Sequence, residues 1–252
     1  MFEKIFDIIY NTYMRYLMII TYDGRAYSGW QRQKNADSIE SRVESALETI
    51  LREAITCTAS GRTDAKVSAY FQPAHFETEQ ALDTRKVLHS MNGLLPDDIR
   101  VLSIVESVIH ARFSAKKKTY LYKMYLSNID LPLYSDALRI SPDIDIKKMK
   151  RFIRLLKGTH DFIGFRASNT ENDSTVRTIY KVKLYRVGLY LYFEVTGNGF
   201  LYKMVRNIVG TMLKVGEGKL DLKELKSHLF LDYRSAHTAK PEYLYLLNVV
   251  YK

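Results

Sequence analysis

The sequence predicts an α+β fold in two halves, on three observations. Runs rich in β-branched and aromatic residues recur at strand length. Stretches whose apolar residues return at helical spacing lie between them. Proline-bearing breaks at Leu131-Pro132 and Ser141-Pro142 mark a linker between an earlier set of elements and a later one. With 252 residues, 46% of them hydrophobic, the chain can bury one large or two small cores.

Residues 1–15 form an extension in which Phe2, Ile5, Phe6, Ile8 and Ile9 crowd together, which suits a short helix packed on the body. The first half then runs over 16–108. Tyr16–Tyr22 is a continuous apolar run and reads as a buried strand. The loop from Asp23 to Asp37 holds Trp30, the only tryptophan, and there it reads as a packing plug. Asp37 and Glu40 fit a helix N-cap and its partner, ahead of Ile39, Val43, Ala46, Leu47, Ile50 and Leu51 at helical spacing. Ile55–Ala59 and Tyr70–Phe76 are strands about a short polar break. Thr84–Met91 is a helix closed by Asn92-Gly93 and the Pro96-Asp97-Asp98 turn, and Ile99–Val105 is a strand.

The second half spans 109–252. Lys118–Leu126 is a strand whose alternation sets Tyr120 and Tyr122 on one face and Leu121 and Lys123 on the other. Arg112, Lys116, Lys117, Lys118 and Lys123 accompany it with no acid between them. That pattern suits either a nucleic-acid surface or a lysine-rich edge that resists aggregation. Asp143 and Asp145 begin a helix with Ile146, Met149, Phe152, Ile153 and Leu156 on its apolar side, ended at Gly158. His160–Thr175 reads as a polar loop, and Val176–Val187 with Leu189–Thr196 as a hairpin about Gly188. Phe200–Leu213 is a helix so apolar that little of it can face water, with Arg206 in its middle. A buried guanidinium must find an anion or cost several kcal/mol. Asp221–Phe230 is a further helix and Tyr243–Tyr251 a closing strand.

Composition narrows the function classes. Lys and Arg number 38 against 28 Asp and Glu, a net charge of +10 and a pI near 9.4, which suits a polyanionic partner such as nucleic acid. The single cysteine, Cys57, excludes an intrachain disulfide and a cysteine-based zinc site. The six histidines include no pair at helical ligand spacing, so no metal is expected. Gly216-Glu217-Gly218-Lys219 lacks the spacing of a phosphate-binding P-loop, and the glycine pattern of an RNA-recognition motif is absent. No apolar run approaches the length of a membrane span and no secretory signal is present, so a cytoplasmic protein without a membrane partner is expected.

The stretch that organises the chemistry is Ser60-Gly61-Arg62-Thr63-Asp64-Ala65, with Gln72 and His75-Phe76 downstream. An aspartate in a turn usually hydrogen-bonds the backbone. Here, however, Gly61–Ala65 resembles the catalytic motif of the tRNA pseudouridine synthase A family. Tyr22-Asp23-Gly24 with Gly29-Trp30-Gln31-Arg32-Gln33, Ala111–Ala115, and Met204-Val205-Arg206-Asn207-Ile208-Val209-Gly210 are similar to family segments in the family's order. The resemblance implies two ferredoxin-like α/β halves with antiparallel sheets joined across a central cleft. It implies isomerisation of uridine to pseudouridine in the anticodon stem-loop of tRNA, at tRNA positions 38–40, by a homodimer whose two subunits share one tRNA.

That reaction needs no metal or other cofactor; it needs an ionised carboxylate held away from water. By resemblance the catalytic carboxylate is Asp64, and Arg206 is the cation that keeps it ionised. Tyr120 resembles the active-site tyrosine that stacks on the target base, and Arg62 the side chain that fills the space left by a flipped nucleotide. The chain departs from the family at Asp64-Ala65-Lys66-Val67-Ser68, where Asp-Ala-Gly-Val-His is usual. Lys66 must therefore take another backbone conformation or tolerate strain, and Ser68 cannot act as an imidazole. The other reading is an RNA-binding or RNA-chaperone protein with weak or no isomerase activity.

Overall fold

The computed structural model describes residues 13–167, 174–231 and 233–252, so most of the expected N-terminal helix lies outside the described residues. They fall into two compact units, one reaching Ala115 and including Tyr251–Lys252, the other Lys116–Val250.

The first unit runs β1 (Met14–Tyr22), α1 (Ile39–Leu51), β2 (Thr58–Ala59), β3 (Ser68–Thr78), α2 (Thr84–Leu94) and β4 (Ile99–Glu106). Its sheet has the order β4-β1-β3-β2 with every pairing antiparallel, the βαββαβ arrangement of a ferredoxin-like fold. Helix α1 buries Ile39, Val43, Ala46, Leu47 and Leu51. Its N-cap is Ser38, paired with Ser41 in a capping box, and not Asp37 with Glu40. Asp37 is taken by Arg42, 2.6 Å away, and Glu40 is turned to another task described below.

Two further boundaries differ from expectation for identifiable reasons. Only Thr58–Ala59 of the expected Ile55–Ala59 strand pairs, because the N–H of Cys57 donates to Oε1 of Glu44 at 2.8 Å and not to a neighbouring strand. Helix α2 runs past Asn92-Gly93, because the Asn92 side chain bonds both the N–H and the carbonyl of Val101 at 2.8 Å and ties the last turn to β4.

The second unit contains β5 (Lys117–Leu126), β6 (Leu138–Ile140), α3 (Ile146–Leu155), β7 (Gly158–Asp161), β8 (Val176–Val187), β9 (Tyr190–Gly197), α4 (Met204–Gly216), α5 (Leu222–His228) and β10 (Leu244–Val250). The order β10-β5-β9-β8-β7 is antiparallel throughout, with β6 added parallel to β5. Taking β5, α3, β8, β9, α4 and β10 alone, the same βαββαβ plan recurs, so each half has the expected α+β class. Residues 131–142 are not a linker here: they lie inside this unit and supply β6. The expected loop beginning at His160 starts instead as β7, which pairs with β8.

Helix α4 begins at Met204, later than its apolar run suggests. Lys203 before it is left-handed (φ 58°), so Phe200 and Leu201 precede the helix. Met204, Val205, Ile208, Val209 and Met212 are all buried. No helix among the described residues is long and apolar enough to cross a membrane.

Candidate active site

The Asp64 loop crosses from β2 to β3 in the first unit, and its backbone is pinned from several directions. Ser60 donates its N–H to the Pro73 carbonyl (2.8 Å) and its hydroxyl to Gln72 Oε1 (2.9 Å). Gln72 is fully buried and donates Nε2 to the Gly61 carbonyl at 2.7 Å. The hydroxyls of Tyr22 and Thr63 share a 2.8 Å hydrogen bond, and the Thr63 carbonyl accepts the N–H of Trp30 at 3.1 Å. Beyond the aspartate, Lys66 donates its N–H to the Tyr27 carbonyl (3.0 Å) and Val67 to that of Asp64 (3.1 Å). Thr63 and Val67 are buried. Asp64 between them is half-exposed, and Arg62 is exposed.

The expectation of an acid kept from water is therefore met only in part. What is rigid is the backbone that presents the acid. Lys66 takes the strained alternative, a left-handed backbone at φ 67°. Ser68 is buried, and its Oγ accepts the N–H of Gly24 at 3.0 Å, which makes it a brace for the Asp23–Ala26 turn.

The loop that backs Asp64 depends on Glu40, which is not the capping partner its spacing from Asp37 suggests. Glu40 is 5% exposed and accepts from Trp30 Nε1 (3.0 Å), Gln31 Nε2 (2.5 Å) and the N–H of Arg32 (2.7 Å). Three donors on one buried carboxylate fix the Trp30–Arg32 turn to the first turn of α1. A glutamate one residue into an apolar helical run, with Trp-Gln-Arg shortly before it, is the signal that could have indicated this.

His75 on β3 is buried, which together with the nearby His110 depresses its pKa from 6.5 to about 4. Its Nδ1 accepts the N–H of Ala111 at 3.1 Å, so the neutral ring is a structural acceptor.

Tyr120 and Arg206 both lie in the second unit. Tyr120 sits on β5 between Leu246 of β10 and Val195 of β9, half-exposed, with its ring edge-on to Phe200 at 5.2 Å. Tyr122 does not share its setting. It is fully buried and donates its hydroxyl to the Lys240 carbonyl at 2.9 Å, so the expected two-tyrosine stacking face is reduced to Tyr120. Lys123 is bound to Asp136 at 2.5 Å and leaves the cationic run as well. Arg206 is half-exposed, and its Nε donates to the Ala239 carbonyl at 2.9 Å while Ala239 returns its N–H to the Arg206 carbonyl. The next residue, Asn207, is buried. It donates to the Phe165 carbonyl (2.8 Å) and accepts from Thr238 Oγ1 (2.6 Å), which holds two loops against α4.

Residues 152–252 match a family model described as tRNA pseudouridine synthase. Its description names a class of isomerase that acts on uridine in tRNA. Among curated proteins, "tRNA pseudouridine synthase A" of Thermoanaerobacter sp. (strain X514) is 38% identical over 94% of this chain and 100% of its own length. That of Anoxybacillus flavithermus (strain DSM 21510 / WK1) is 40% identical over 92% and 96%. The protein titled so from Shewanella piezotolerans (strain WP3 / JCM 13877) is 38% identical over 94% and 93%. This chain belongs to the tRNA pseudouridine synthase A family. Among solved structures, the "Crystal Structure of a Cbf5-Nop10-Gar1 Complex" overlaps with a TM-score of 0.37 at 16% identity, over 91% of this chain and 57% of that one.

Proposed function

We propose that this chain isomerises uridine to pseudouridine in the anticodon stem-loop of tRNA, with Asp64 as the catalytic carboxylate. The observation that supports this is the loop itself: buried Thr63 precedes Asp64, buried Val67 closes the turn three residues on, and hydrogen bonds hold the backbone on either side, while the half-exposed carboxylate remains within reach of a substrate. In the reaction the bond from the ribose to uracil N1 breaks and the base turns. A bond from the ribose to C5 forms, the proton on C5 is lost, and N1 gains one. A pre-positioned carboxylate can act as nucleophile or base in this sequence. A bound uridine then removes the water that the half-exposed side chain still meets.

Tyr120 is the residue for stacking on the target base and passing a proton, and its half-exposed ring against Phe200 suits both. Arg206 binds the substrate as a cation whose Nε is already oriented by the Ala239 carbonyl. Arg62, exposed next to the fixed Thr63, suits insertion into the stem when the uridine leaves it, a step that costs a few kcal/mol. The reading includes a cytoplasmic homodimer that shares one tRNA between its subunits, which sedimentation giving only monomer would reject.

The deciding experiment incubates unmodified tRNA with wild type and Asp64→Ala and maps pseudouridine chemically. Product in the anticodon stem-loop with wild type alone is the expected result. Product from both proteins removes Asp64 from the chemistry, and none from either favours an RNA-binding protein.

A further inference from the structure

The segment Ala111–Ala115 has no role in the reaction as proposed, yet it builds an unusual surface. Phe113 is 77% exposed, and its ring stacks on that of His110 at 4.3 Å between centroids and 29° between planes. The pair is held rigidly. His110 Nδ1 accepts the N–H groups of both Arg112 and Phe113 at 3.2 Å, and the His110 carbonyl accepts the N–H of Ser114 at 3.0 Å. Below it, buried Ala111 is anchored on both sides: its N–H goes to His75 Nδ1, and its carbonyl accepts the Tyr251 hydroxyl at 2.8 Å. The exposed Arg112 guanidinium lies 5.9 Å from the Phe113 centroid.

We propose that His110, Phe113 and Arg112 form a docking platform for one unpaired base of the substrate tRNA and its phosphate. An exposed aromatic ring backed by an imidazole and fixed by its own backbone offers a stacking surface at little further entropic cost. A nucleobase matches that surface in size and needs no particular sequence, while the flanking guanidinium meets the phosphate. Phe113 lies between Arg112 and Ser114 on a chain of net charge +10, so its surroundings suit a polyanion better than an apolar protein surface. The proposal rests on tRNA being the substrate, and not on which carboxylate does the chemistry.

Binding of unmodified tRNA tests it without reference to turnover, using wild type, Phe113→Ala, Phe113→Trp and Arg112→Gln over a series of salt concentrations. Phe113→Ala is expected to raise Kd about five- to hundredfold, the range that stacking of one base supplies, with the salt slope unchanged. Arg112→Gln is expected to lower that slope by about one counterion. Phe113→Trp keeps Kd within about threefold, and its added emission is quenched by tRNA. Melting curves of the variants should match wild type, since the substituted side chains are exposed. A Kd for Phe113→Ala within about twofold of wild type, or Phe113→Trp emission indifferent to saturating tRNA, overturns the platform. So does a Phe113→Ala protein whose only change is loss of self-association, which would assign the surface to a second copy of the chain. Failure of wild type to bind tRNA would instead overturn the substrate class itself.

Discussion

A β-carbon placed on Gly29 would lie 2.7 Å from the carbonyl oxygen of Thr63, the residue before the proposed catalytic aspartate. It would also lie 3.0 Å from the Ala65 nitrogen and the Asp64 carbonyl carbon, all backbone atoms that have no rotamer with which to yield. Gly29 itself is at φ 97°, where L residues are strained. The Asp64 loop and the Trp30 loop are thus packed backbone to backbone, and the absence of a side chain sets their spacing. Gly29→Ala is expected to destabilise the fold by at least about 2 kcal/mol and to lower single-turnover rate more than tRNA binding. Gly188→Ala is the control: at φ 59° in the β8–β9 turn with open space about it, it should cost only about 1 kcal/mol and leave turnover unchanged. Urea unfolding and single-turnover assays on the two variants provide the comparison.

Lys66 gives the opposite stability sign. A lysine at φ 67° carries a left-handed penalty of about 1–2 kcal/mol, while glycine at the same place costs about 0.4–1 kcal/mol in unfolded-chain entropy. Lys66→Gly is therefore expected to stabilise by up to about 1.6 kcal/mol, read as a higher melting temperature. A lower one would mean that contacts of the lysine side chain outweigh its strain.

The sequence made the larger plan legible and the loops less so. Strands such as Tyr16–Tyr22 and helices such as that of Val43, Leu47 and Leu51 were readable because burial imposes a period on them. What periodicity could not reveal was side chains replacing backbone partners: Glu44 delaying the start of a strand past Cys57, Asn92 extending a helix through a glycine. Tyr122 misled for a related reason. Alternation places it on the same face as Tyr120, but a residue two positions further along a strand can lie beneath a crossing loop, and the Lys240 carbonyl covers its hydroxyl. Asp64, Arg62, Tyr120 and Arg206 are singled out only by their resemblance to family motifs, whereas the hydrogen bonds that support the aspartate loop from Tyr22, Gln72 and Glu40 needed coordinates.

His75 sets a pH dependence. Its folded pKa, about 4, lies below its ordinary 6.5, so between these values the unfolded chain binds a proton that the folded one does not. Stability from this group is complete above about pH 6.5 and falls as pH drops toward 4, by about 3 kcal/mol when protonation is complete. His75→Asn, which keeps an acceptor for the Ala111 N–H, should flatten that part of the stability curve. Denaturant midpoints of both proteins from pH 4 to 7 measure the difference, and parallel curves would show that His75 is not the titrating group.

Glu40 offers the sharpest optical test, because one of its three donors is the only tryptophan. Trp30 is 1% exposed, so its emission is expected to be that of a buried indole. Glu40→Gln retains the volume of the side chain but replaces one accepting oxygen with an NH2 group. That group faces either the indole N–H or the pair of donors from Gln31 and Arg32, and at least one buried donor loses its partner. The expected cost is about 1–3 kcal/mol. The loop through Gly29 should then loosen, with a red shift of Trp30 emission in the native state and a slower single-turnover rate, since that loop sets the position of Thr63 and Asp64. Unchanged emission together with unchanged rate would mean that the Trp30 turn is held by its backbone contacts alone.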